Sequence, residues 1–178
     1  MLSLPQVLAL TKYKMKLFFH FVLPIFIGLY APLAIALTEG DLAPPFELYS
    51  DTSSTIKLSN YKGKLVYLDF WASWCGPCKQ SFPWLNEMQA KYGAKGFQVI
   101  AINLDSNPAD AAAFLKVVPA KFTIAYDSKG LTPKLFAIKG MPTSALVDEQ
   151  GKIILFHTGF KPADKVALEQ AIANSIKK

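Results

Sequence analysis

The 178-residue chain carries two cysteines, and they stand three positions apart where an apolar run gives way to a helical pattern. Residues 65–70 read LVYLDF, continuous apolar sequence with a single acid, the mark of a strand buried on both faces. Trp74-Cys75-Gly76-Pro77-Cys78 follows. Beyond it Phe82, Leu85, Met88 and Tyr92 can share one helical face, and Gly93 closes the segment. In that setting a C-x-x-C motif is a redox pair rather than half of a metal site. A helix N-terminus has unpaired N–H groups and a partial positive charge, and both stabilise a thiolate. The thiolate is the attacking species in disulfide exchange. Cys75, at the exposed end, is therefore the expected nucleophile, and Cys78, one turn further in, the expected resolving thiol. Gly76 and Pro77 let the chain turn tightly and remove one donor.

A structural zinc site is the competing use of such a pair, and it needs four ligands. Past the N-terminal apolar segment only Cys75, Cys78 and His157 are available as cysteine or histidine ligands, so no metal is expected. No flavin or nicotinamide fingerprint occurs, so no cofactor is expected either.

Residues 46–58 hold two short alternating stretches (FELYS and TIKLS) around Asp51-Thr52-Ser53-Ser54, a hairpin pattern. Residues 97–104 (FQVIAINL) read as a second buried strand, and Asn107-Pro108-Ala109-Asp110 opens a helix through Lys116. A short strand over 122–126 and a short helix over 131–138 come next. Residues 144–147 and 153–157 flank the Asp148-Glu149-Gln150-Gly151 turn as an antiparallel pair, and 162–176 form a closing amphipathic helix. Strands alternating with helices, then a hairpin and a helix, predict an α/β fold with a mixed sheet.

Residues 17–37 (LFFHFVLPIFIGLYAPLAIAL) form the one stretch long and apolar enough to cross a bilayer. Lys12, Lys14 and Lys16 precede it, and Ala34-Ile35-Ala36 ends it with a small-x-small triplet before polar Thr38-Glu39-Gly40-Asp41. Together these describe a secretory signal peptide cleaved after Ala36. An uncleaved membrane anchor is the alternative. Either places the domain of residues 37–178 outside the cytoplasm, in a periplasmic or other extracytoplasmic space. The three lysines then obey the positive-inside rule. Met15-Lys16 directly precedes the apolar run, so a start at Met15 would leave a compact signal over 15–36. All 19 basic residues of the chain are lysine, and without arginine there are no bidentate forks for guanine or phosphate. No nucleic-acid partner is expected. Residues 37–178 carry 16 lysines and 13 acids, a net charge of +3 that implies no particular partner, and they suffice for one domain.

The segment Asp69-Phe70-Trp71-Ala72-Ser73-Trp74-Cys75-Gly76-Pro77-Cys78-Lys79 resembles the active-site segment of thioredoxin. Pro83 matches the helix-kinking proline of that fold, and Gly140-Met141-Pro142-Thr143 is similar to the segment carrying its cis-proline. Gly40-Asp41-Leu42-Ala43-Pro44-Pro45-Phe46 with Leu48, and the 67-residue interval from Cys75 to Pro142, resemble the exported TlpA/ResA-like branch of the redoxins. The resemblance implies a thioredoxin fold with an N-terminal β-hairpin extension and a central helix–strand insert within 111–126. Two positions depart from the branch. Ser81 stands where the branch often has a glutamate. Asp69 matches the buried aspartate of thioredoxin, yet the lysine that partners it there would align near Ala101.

The resemblance implies a protein thiol–disulfide oxidoreductase. Gly76-Pro77 is the dipeptide of thioredoxin, which lies at about −270 mV, against about −120 mV for the oxidant DsbA. A reductase of exported protein disulfides is therefore the favoured reading. Its substrates would include apocytochrome c, and a membrane electron donor of the DsbD/CcdA type would resupply it. A disulfide-forming oxidant or isomerase, or a peptide-binding chaperone that needs no thiols, are the alternatives. No Thr-x-x-Cys site supports a thiol peroxidase. A monomer is expected. Asp69 is expected to take the proton of Cys78 through water, and Trp74 to shield Cys75 and contact substrate. Pro142 is expected to be cis and to leave the Met141 backbone free to pair with an extended substrate segment. Trp71 reads as packing, Lys79 as a solvated helix lysine no less than a thiolate stabiliser, and the lone histidine His157 as structural or solvated.

Overall fold

The computed structural model describes residues 37–50 and 54–176. The expected signal or anchor, the choice of start and the tip of the first hairpin lie outside the described residues. In chain order the elements are β1 (Glu47–Ser50), β2 (Thr55–Lys57), β3 (Leu65–Trp71), α1 (Gly76–Tyr92), β4 (Phe97–Asn103), α2 (Pro108–Val117), β5 (Thr123–Tyr126), α3 (Leu131–Leu135), β6 (Thr143–Val147), β7 (Ile153–Thr158) and α4 (Asp164–Ser175).

One sheet takes the strands in the order β2-β1-β5-β4-β3-β6-β7. β3, β4 and β5 are parallel, joined by α1 and α2 as crossovers. β6 runs antiparallel to β3, and β7 to β6. The β1–β2 hairpin adds to the far edge by antiparallel pairing of β1 with β5. The expected mixed sheet thus forms, with the hairpin extension on one edge and the inserted strand β5 between β4 and β1.

β3 shows why its sequence reads as apolar throughout. Leu65, Tyr67 and Trp71 face one side, with Phe82, Trp84, Leu85 and Met88 of α1 and Leu168 and Ile172 of α4. Val66, Leu68 and Phe70 face the other, with Phe46, Leu48 and Phe136. Side chains alternate across a strand, so a strand covered on both faces has no polar phase. Trp71 is fully buried, 4.9 Å from the Phe82 ring and 4.8 Å from Phe114, as a packing residue.

Element ends shift in two informative places. α1 starts at Gly76, ahead of the helical pattern, because Cys75 itself caps it: its Sγ accepts the Cys78 N–H at 3.3 Å. α3 stops at Leu135 although the pattern continues to 138. Phe136 turns inward, 98 % buried, onto Phe46 and Phe70. Ala137 then takes φ 52°, and the Ile138 N–H closes back on the Pro133 carbonyl at 2.8 Å. Among the described residues no helix is long and apolar enough to cross a membrane.

Candidate active site

β3 and β4 end side by side, Trp71 opposite Asn103, and the loops that leave them build the site. Cys75 and Cys78 form a disulfide with Cα atoms 5.3 Å apart. Cys75 keeps 5 % of its surface and Cys78 none, so an attacking thiol reaches Cys75 first. The bond sits at the first turn of α1, with Pro77 inside that turn. Ser81, where a glutamate was the alternative, donates its hydroxyl to the Cys78 carbonyl at 3.0 Å and offers no second acid.

The loop before Cys75 is held by a residue that sequence reading missed. Asp105, buried just past β4, accepts the Ser73 N–H at 2.9 Å, the Ser73 hydroxyl at 2.9 Å and the Asn103 side-chain amide at 2.8 Å. Three donors on one buried carboxylate fix the loop strongly, since hydrogen bonds to charged groups are each worth about 1.5–3 kcal/mol. The available signal was a polar Asn-x-Asp triplet at the C-terminal end of a buried strand, beside the strand end that carries the cysteines.

Asp69 does not reach solvent. It is 2 % exposed, on the same face as Tyr67 and Trp71 and hence on the side of α1. Among the described residues its Oδ2 has no hydrogen-bond partner. Burial alone pushes its carboxyl up to about 8 from an ordinary 3.8, because the charged form loses its hydration. Directly opposite it on β4 stands Ala101, where a lysine would have supplied a cation. Tyr67 donates its hydroxyl to Ser144 Oγ at 2.8 Å, and burial first, then the nearby Asp69, hold its phenol well above the ordinary range.

A groove of about 440 Å³ runs along the disulfide. Trp74, Cys75, Gly76 and Lys79 form one wall, and Ala113, Phe114 and Val117 of α2 the other. Trp74 is 73 % exposed and Val117 71 %, a large apolar surface left open beside a reactive bond. Asn86 of α1 steadies that second wall by accepting the Lys121 N–H at 2.6 Å and donating to the Pro119 carbonyl at 2.9 Å. The Met141–Pro142 peptide is cis. Met141 packs against the core cluster that contains both cysteines, although neither Met141 nor Pro142 lines the groove. Among the described residues no backbone hydrogen bond engages Met141.

A disulfide that caps the first crossover helix of such a sheet defines a thioredoxin-like thiol–disulfide oxidoreductase. The chain belongs to the redoxin family, whose model matches residues 38–172. It is 37 % identical over 115 residues to the thiol-disulfide oxidoreductase ResA of Bacillus thuringiensis subsp. konkukian, covering 65 % of this chain and 66 % of that one. This alignment spans just under two thirds of that relative's length. To ResA of Bacillus subtilis it is 30 % identical over 124 residues, covering 70 % and 69 %. A crystal structure of a candidate thiol:disulfide interchange protein DsbE from Chlorobium tepidum superposes with a TM-score of 0.77 at 60 % identity, over 79 % of this chain and 99 % of that one.

Proposed function

We propose that residues 37–178 form an exported reductase that opens disulfides of exported proteins by exchange through Cys75 and Cys78. The observation that carries this reading is the Cys75–Cys78 bond itself, placed at a helix N-terminus on the rim of an open apolar groove. Residues 1–36 serve as the export signal or as a membrane anchor.

In the reduced protein the helix N-terminus favours the Cys75 thiolate. That thiolate attacks one sulfur of the substrate disulfide. A Cys75–substrate bond forms, the substrate S–S bond breaks, and the departing substrate thiolate takes a proton from water. The substrate chain flanking the reacting cysteine lies in the groove against Trp74 and Val117, while the Met141 backbone pairs with it as an added strand. Asp69 then accepts the Cys78 proton through water, and the Cys78 thiolate attacks Cys75 Sγ. The Cys75–Cys78 bond forms and the second substrate thiolate leaves. Two electrons have passed from the pair to the substrate, and one proton from Cys78 to Asp69. A carboxyl at about 8 exchanges protons near neutral pH, as a general base must. A membrane donor of the DsbD/CcdA type would return the two electrons, and apocytochrome c is a substrate of suitable chemistry.

Cys78→Ser removes the resolving thiol and should freeze Cys75 in mixed disulfides with natural partners. Identification of exported cysteine proteins among them by mass spectrometry supports the reading. A Cys75 that alkylates freely yet accumulates no partner would sink it.

A further inference from the structure

Strand register extends a polar row from Asp69 across the sheet face that carries α1, and beyond Asp69 the exchange mechanism does not use it. Asp69 on β3 stands directly opposite Ser144 on β6, and Ser144 directly opposite His157 on β7. Directly opposed residues share a face of the sheet, with Cβ atoms about 4.5–5.5 Å apart. Neighbours confirm which face it is: Tyr67, Leu146 and Leu155, two residues along each strand, belong to the core on the α1 and α4 side. His157 Nε2 lies 3.3 Å from Asp164 Oδ2 at the start of α4. Asp164 also accepts the Lys161 N–H at 2.7 Å, which fixes its position.

Burial falls along this row. Ala101, opposite Asp69 on the other side, is 0 % exposed and offers no polar atom. Asp69 is 2 % and Ser144 3 % exposed, whereas the side chains of His157 and Asp164 are 27 % and 26 % exposed. The row is thus closed toward β4 and open toward β7, the last strand of the sheet. Tyr67 fills one lone pair of Ser144 Oγ from the donor side, so the serine's own proton remains to be given onward. Next to His157 along β7, the Phe156 N–H is accepted by Glu39, a residue from outside the strand, at 3.1 Å.

We infer that Ser144 and His157 relay to solvent the proton that Asp69 takes from Cys78. Asp69 is buried from bulk solvent, and in every cycle it must give up the proton it carries before it can accept that of Cys78. Ser144 passes the proton, directly or through one water, to the His157–Asp164 pair, which gives it to bulk solvent. Asp69 remains the group that acts on Cys78. Ser144 and His157 are positioning residues that act through it. Among the described residues no other polar side chain lies in this row.

The inference rests on the proposed resolving role of Cys78 with Asp69, and the test separates the two. Reduced protein reacts in a stopped-flow instrument with the aromatic disulfide dithiobis(nitrobenzoate). Thionitrobenzoate is released first by Cys75 attack and again by Cys78 resolution, and at pH 7 the Asp69 carboxyl, at about 8, starts mostly protonated and must give that proton to the row before it can accept the one on Cys78. Ser144→Ala and His157→Ala should leave the first release unchanged and slow the second roughly tenfold, below the 10²–10⁴-fold of a lost general base. Added imidazole should restore His157→Ala, and Ser144→Thr should behave as wild type, recoveries that a merely structural role would not produce. A second release unchanged in both alanine variants overturns the relay, as does a slowing that neither imidazole nor threonine reverses. A second release that Asp69→Asn fails to slow would instead overturn the underlying role of Asp69.

Discussion

Asp69→Asn isolates the cost of burying the carboxyl. In the unfolded chain the group ionises near 3.8, and in the folded protein near 8. Between those values the folded state holds a proton that the unfolded state has lost, so stability falls as pH rises. The contribution is fully present below 3.8 and is lost as pH climbs through 8. Each unit of pH in this window removes about 1.4 kcal/mol. From pH 5 to pH 7 the wild type should lose about 2–3 kcal/mol through this group alone, and about 1 kcal/mol more by pH 8, where half the folded molecules have ionised. Asparagine has nearly the same shape and does not titrate. Its buried amide shifts the variant's stability by a constant, which leaves the slope untouched. Urea unfolding of the oxidised proteins, in which neither thiol titrates, measures both curves at fixed ionic strength. The stability of the variant relative to wild type should grow by about 2–3 kcal/mol over those two units. Parallel curves would show that Asp69 ionises at an ordinary pH, and the account of it as a base near neutrality would fail.

Two further substitutions address the loop and the groove. Asp105→Ala strips the acceptor from Ser73 and Asn103 and should cost about 3 kcal/mol in urea unfolding. It should also slow alkylation of reduced Cys75, and a loss below about 1 kcal/mol would mean that the loop holds its shape without this carboxylate. Val117→Asp puts a charge on the exposed apolar wall of the groove. It should raise KM for a protein disulfide roughly tenfold, since a buried valine is worth about 1.5 kcal/mol, with the rate toward dithiobis(nitrobenzoate) unchanged. Equal losses on both substrates would place the effect on the cysteines rather than on the groove.

The parts of the molecule that were legible share a short range. β3 and α1 declare themselves through hydrophobic runs and 3.6-residue spacing, and the cysteine pair lies at their junction, so strand, helix and disulfide were readable from 28 consecutive residues. Asp105 was not, because its bonds to Ser73 cross 32 positions and depend on two parallel strands ending level. The row from Asp69 to His157 was hidden for a related reason. A shift of one residue in the β3–β6 or β6–β7 register would turn Ser144 or His157 to the opposite face, and register is a property of the folded sheet. The end of α3 was misjudged because the pattern over 131–138 is apolar at helical spacing. What ends the helix is the pull of Phe136 into a core shared with Phe46 and Phe70, 90 and 66 residues earlier in the chain.

The acid–base arrangement of the site follows from two substitutions read together. A second acid at position 81 would share the proton of Cys78 and repel the charge on Asp69. A lysine at position 101 would favour that charge and lower the carboxyl's pKa. This chain has Ser81 tied to the Cys78 carbonyl and a buried methyl group at Ala101. Asp69 therefore has neither of these two neighbours, and burial is what raises it. A carboxyl set by burial gains its value by exclusion of water, which also removes the solvent that would carry its proton away. A neighbouring cation tunes a carboxyl without sealing it in this way. In the proposed mechanism the same burial that raises Asp69 toward neutrality creates the need for a polar path, and the row through Ser144 to His157 runs from that carboxyl to the last strand of the sheet.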